Sequence, residues 1–123
     1  MSARERGSVS VVLAAGVLVV LVLVMGVADL ARVLAARSVA RAAADAAALA
    51  AAQEMAFPSG LDPAAVAADY ATANGAVLTS CACAAGTLEA IVEVQVDAGD
   101  LMLDLGPAIL TAQARAVVDL PGL

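Results

Sequence analysis

The side chains that could carry chemistry are few. Cys81 and Cys83 form a Cys-x-Cys pair, and the chain has no His and no further Cys. A structural zinc site needs about four ligands, so one chain cannot build it. On a strand, residues two apart point to the same face. The two Cα atoms would then lie about 6.5 Å apart, near the upper limit for bridging. The pair is open between a strained Cys81–Cys83 disulfide, two buried thiols and one intermolecular bridge, and none of these makes a redox enzyme. Asp97, Asp100 and Asp104 suggest calcium, but their spacing matches no calcium loop. Without His there is no Ser-His-Asp or Cys-His site. All six basic residues are Arg, so no Lys-bearing phosphate loop exists. Paired carboxylates for acid–base work would need a cleft, which no pattern here indicates. The expectation is no catalytic, cofactor-binding or metal-binding residue, no cofactor and no small-molecule substrate.

What remains is packing. Hydrophobic residues make up 63% of 123 positions and charged residues 15%, an apolar excess over ordinary soluble domains. Ser8–Ala28 contains no charged residue. As a helix it spans roughly 32 Å, against a bilayer core of about 30 Å. A cleaved secretory signal is the rival, with Arg4 and Arg6 as its basic segment and Gly26-Val27-Ala28 as its cleavage site. The run exceeds the usual signal core of about 7–15 residues, and the helical pattern continues beyond residue 28. A retained transmembrane helix over 8–28 is the reading adopted.

From Asp29 to Ala56 the chain has no Pro and a great deal of Ala, the best helix former. Arg37, Arg41 and Asp45 recur every four residues and share a stripe. The small residues Ala35, Ser38, Ala42 and Ala46 lie between that stripe and the apolar Leu30, Val33 and Leu34. Large anchors are scarce, so this stretch is expected to bury little against its own domain. It reads either as a face for close packing with other helices or as a solvated spacer. Residues 8–56 together form one helix of roughly 70 Å.

Phe57-Pro58-Ser59-Gly60 breaks that helix. Asp62 and Pro63 open a second one over Ala64–Ala73, and Asn74-Gly75 closes it. The period then changes to two. Leu88, Ala90, Val92, Val94 and Val96 face one way, and Glu89, Glu93, Gln95 and Asp97 the other, with Ile91 as the exception, which predicts a half-buried strand. A strand is predicted at Val77–Cys83, a turn at Ala84-Ala85-Gly86 and a last strand at Thr111–Leu120, with Gln113, Arg115 and Asp119 outward. Gly99–Pro107 has no clear assignment. The fold class is a membrane-anchored α+β protein: a long N-terminal helix and a head, 57–123, of one short helix on a three- to four-stranded antiparallel sheet. So small a head is marginal alone. It should lean on the long helix, on a partner or on a disulfide.

Residues 1–45 carry five Arg against Glu5, Asp29 and Asp45, a net +2. Residues 46–123 carry nine acids against Arg115, a net −8. An acidic head argues against nucleic acid. The positive-inside count does not decide orientation, because Arg4 and Arg6 precede the span while Arg32, Arg37 and Arg41 follow it. The short N-terminal tail and the acidic, Cys-bearing head favour a cytoplasmic N-terminus and an extracytoplasmic head.

The start Arg4-Glu5-Arg6-Gly7-Ser8-Val9-Ser10-Val11, running into an apolar helix, resembles a prepilin leader. That resemblance implies cleavage between Gly7 and Ser8 by a prepilin peptidase, with residues 1–7 as the leader. Arg41-Ala42-Ala43-Ala44-Asp45-Ala46-Ala47-Ala48-Leu49-Ala50 resembles the signature of TadE/TadG-like pilus-assembly proteins, closest to the short actinobacterial TadE-like type. Pilins of this kind carry Glu five residues after the cut, and here that position is Val12. The resemblance implies a pilin-like, single-pass membrane protein in a minor or accessory role. Its implied partners are membrane lipid, other pilin-like subunits and the pilus or secretion platform. The alternative is a membrane-anchored interaction or signalling module unrelated to pili.

Overall fold

The computed structural model describes residues 3–84, 86–103, 106 and 108–121. A single helix, α1, runs from Ala3 to Ala56. Its composition explains the length, since Ala, Leu and Val side chains fill it and no Pro interrupts it. It ends where Phe57 N–H makes a last bond to Gln53 O at 2.9 Å and Pro58 offers no donor. Gly60 then takes a positive φ of 96°.

The second helix, α2, spans Pro63–Ala73. Pro63 occupies its first turn, and Asp62 stands at the cap in extended backbone without a side-chain cap bond. Its C-terminus is a Schellman closure: Gly75, at φ 82°, lets Ala76 N–H reach Ala71 O at 2.9 Å while Gly75 N–H reaches Thr72 O at 3.0 Å. A Cβ at Gly75 would also stand 3.5 Å from Val39 of α1.

Three antiparallel strands follow in the order β1-β2-β3, with β1 Val77–Ala82, β2 Glu89–Asp97 and β3 Ile109–Val117. The last strand thus begins two residues earlier than its sequence pattern predicts, and ends before Val118. Leu88 lies just outside β2 and is exposed; its carbonyl accepts Val118 N–H at 2.7 Å. A bulge at Thr79 breaks the β1–β2 register, and the Thr79 hydroxyl fills the gap by donating to Glu93 O at 3.1 Å. Of the predicted Ala84–Gly86 turn, Ala85 lies outside the described residues, and Thr87 N–H closes onto Ala84 O at 3.2 Å.

The alternation in β2 works as expected: Ala90, Val92, Val94 and Val96 are buried. What covers them corrects one expectation. The alanine-rich half of α1 does not stand apart from the head; it packs on the inner face of β2 and β3. The short helix α2 lies alongside α1 and against β1. Nine alanines of α1 are buried, from Ala36 to Ala52, at the three- and four-residue spacing of a helix face. The physical reason is number rather than size. Each alanine buries little, but methyl-sized side chains let a sheet and a second helix approach closely along several turns. Val92 and Val94 supply the largest fully buried side chains.

A seam of this kind has no spare volume. Ala43→Leu, at a fully buried position, should destabilise the fold by about 1–3 kcal/mol. Ala42→Leu, one residue earlier and exposed, should stay within about 0.5 kcal/mol. Denaturant unfolding of the detergent-solubilised chain measures both, and equal effects would contradict the seam.

Candidate functional site

Two regions of α1 are left open by the head, and a third, between them, is held by it. From Val9 to Val24 every large side chain is about half exposed or more. Here, among the described residues, the helix is left uncovered by the head, and α1 is long and apolar enough to cross a membrane, with a mean hydropathy of 3.1 over its most apolar stretch. One side holds a shallow apolar groove centred on Gly16 and walled by Val12, Leu13 and Val20. Gly7 and Ser8 sit at its beginning, both exposed and within α1; a Cβ at Gly7 would meet nothing within 4 Å. Arg4 belongs to the helix backbone, but its side chain lies outside the described residues.

Higher on α1, the face opposite the sheet is open. Ala35, Ser38 and Ala42 are exposed and Ala46 is half-buried. Arg37, Ser38, Arg41, Ala42 and Asp45 line one shallow depression together with Leu34. Arg41 and Asp45 are four apart with the base N-terminal, the weaker orientation for a helical ion pair. Among the described residues the one ion pair is Arg115 with Glu89, on the outer face of the sheet. The small residues and the arginine stripe are thus brought to one surface, which the head leaves uncovered.

The third region is the junction, and its residues were not singled out by sequence reasoning. Asp29 is 5% exposed. Its two carboxylate oxygens accept the N–H groups of Met102, at 2.8 Å, and Leu103, at 2.9 Å. One turn on, Arg32 donates to Asp100 O at 2.7 Å. One turn back, a Cβ at Gly26 would stand 3.8 Å from Leu103 Cδ1. The segment after β2 is therefore clasped along α1 instead of forming a strand. The available signal was that Asp29 is the first charge after the long uncharged run.

At the far end of α1, Glu54 organises the breaker. Its carboxylate accepts Ser59 N–H at 2.6 Å, the Ser59 hydroxyl at 2.9 Å and Leu61 N–H at 3.2 Å. Those bonds, led by Ser59 N–H, hold the carboxyl below its ordinary value.

In the structure the sulfurs of Cys81 and Cys83 are joined, with Cα atoms 5.4 Å apart. They are closer than a strand would place them because β1 ends at Ala82, and Cys83 lies beyond it. Of the acidic trio, Asp97 accepts Gly99 N–H at 2.9 Å, Asp100 meets Arg32 through its carbonyl, and Asp104 lies outside the described residues, as do Leu105 and Pro107. Among the described residues no three His, Cys, Asp or Glu side chains gather at a metal-binding distance.

Two outcomes follow. Asp29→Ala leaves two backbone N–H groups without their charged acceptor, and should cost about 1.5–3 kcal/mol in denaturant unfolding. For Glu54 the depressed value means that its contribution is present above the unfolded carboxyl value. It is lost as pH falls through the folded value. The Ser59 amide resonance should therefore titrate with a midpoint below 4.5, the ordinary value, and Glu54→Gln should abolish that titration; a midpoint at or above 4.5 would contradict it.

No curated protein and no solved structure matches the chain. One family model does, over residues 7–54: Tad, described as "Putative Flp pilus-assembly TadE/G-like". The match begins at Gly7 and ends two residues before the end of α1, so it covers the apolar run, the clasp residues Asp29 and Arg32, and both faces of the alanine-rich half. Over residues 7–54 the chain is similar to the TadE/G-like pilus-assembly family.

Proposed function

We propose that this protein is a minor or accessory pilin-like component of a Tad/Flp-type pilus or related secretion machine. It is anchored in the cytoplasmic membrane by Ser8–Ala28, with the head outside. Its work is structural. It packs against other pilin-like helices through Ala35, Ser38, Ala42 and Ala46, and the acidic head makes further subunit contacts. The observation that carries the reading is the family match on α1. Residues 7–54 include a helix end of half-exposed apolar side chains and an open small-residue face, which are the two surfaces such a role needs.

The junction supports a retained helix over a cleaved signal. A cut after Ala28 would make Asp29 the first residue of a helix end, where the last turn frays. The carboxylate that holds Met102 and Leu103 would then sit on the least ordered part of the helix. Prepilin processing between Gly7 and Ser8 leaves the clasp intact. In the extracytoplasmic space the Cys81–Cys83 bridge would persist, since that compartment is oxidising.

Intact-mass measurement of the chain isolated from its native host tests this reading. The expected mature protein begins at Ser8. A chain beginning at Met1 removes the processing step, and one beginning at Asp29 removes the anchor and overturns the proposal.

A further inference from the structure

The loop after β2 descends along α1 in a definite order. Asp100 O is bonded at Arg32, the Met102 and Leu103 N–H groups at Asp29, and the Leu103 side chain reaches Gly26. Arg32 to Gly26 is a drop of about 9 Å along the helix. Gly26 lies about 27 Å from Ser8 by the same rise, inside a hydrocarbon core of about 30 Å. The head therefore begins to cover the helix before the apolar run has ended.

The chemistry of the loop follows that descent. Charged Asp100 is uppermost, and the apolar Leu101, Met102 and Leu103 lie below it. Leu101 and Leu103 are half-buried against the protein, while Met102 is 54% exposed. An exposed thioether side chain at this level has two possible surroundings, water or the acyl chains that surround the adjoining helix.

We propose that the Leu101-Met102-Leu103 segment is a membrane-interfacial contact, seated in the outer edge of the bilayer beside the helix and fixing how the head stands on the membrane. The partner is the lipid surface itself. Three placements argue for it: continuity with the apolar helix at Gly26, Met102 turned outward, and Arg32 one turn above Ala28, where its guanidinium reaches the headgroup layer. The Asp29 clasp has a double consequence in this setting. It shields a carboxylate at the lipid boundary, where a lone one is expensive, and it satisfies two backbone donors that lipid would leave unpaired. This inference rests on the reading of Ser8–Ala28 as a membrane span.

The chain contains no Trp, so single substitutions report one position each. Full-length Met102→Trp, Leu18→Trp and Tyr70→Trp variants are reconstituted in phosphatidylcholine vesicles whose acyl chains carry bromine at shallow or deep positions. The expected result is loss of Met102→Trp emission with shallow bromine, loss of Leu18→Trp emission with deep bromine, and no loss for Tyr70→Trp, which reports the exposed side of α2. If Leu18→Trp is quenched and Met102→Trp is not, the loop lies in water and the inference fails while the span stands. If Leu18→Trp is also unquenched, the span itself is refuted, and the loop contact with it.

Discussion

The structure depends on how closely a sheet can approach one face of a helix. A head of this size, built from Val, Leu and Ala, cannot bury enough surface among its own strands. It takes its missing wall from α1, and the approach is possible because Ala36, Ala40, Ala43, Ala44, Ala47, Ala48 and Ala51 present nothing larger than a methyl group. One helix thus forms the core of the head and also projects beyond it as a bare apolar rod. No linker separates the two parts, so α1 carries the orientation of the head. The clasp at Asp29 and the Glu54 knot fix the chain at both ends of that shared stretch, one holding the loop after β2 and the other the breaker before α2.

The polar groups follow the same division. Asp29, Arg32 and Glu54 bond to backbone of the head and close segments that lack regular structure. On the other side, Arg37 and Arg41 line the open depression with small residues between them. Exposed arginines of this kind add little to stability. They do keep that face soluble and charged opposite to the acidic head, which bears on association between copies more than on the fold of one.

Much of this was legible in the sequence. The apolar run, the Phe57–Gly60 break, the Asn74-Gly75 cap and the alternation of β2 each follow from a local rule, and each stands where that rule puts it. Gly99–Leu103 was not legible, because its conformation is set by a carboxylate some seventy positions away. The start of β3 at Ile109 was hidden for a related reason: Ile109 and Leu110 gain strand structure by pairing with Asp97 and Val96, and the local pattern around Gly106-Pro107 argued only for interruption. The closeness of Cys81 and Cys83 depended on β1 ending at Ala82, one residue before the predicted end.

The burial of the alanine seam is the most instructive difference. Alanine gives hardly any periodic signal, since it satisfies a helix on any side. Large apolar residues are therefore a poor guide in such a stretch, and their scarcity suggests, wrongly here, a helix that buries little. The polar and charged residues are the better guide. Arg37, Arg41, Asp45 and Gln53 all fall on the uncovered side, while every position of the covered rows from Ala36 to Ala52 is alanine. Where one residue type dominates, the positions from which charge is excluded mark the buried face. By that criterion Ala35, Ser38 and Ala42, interleaved with the arginines, belong to the surface the head leaves open, and Ala46, half-buried, stands at its border.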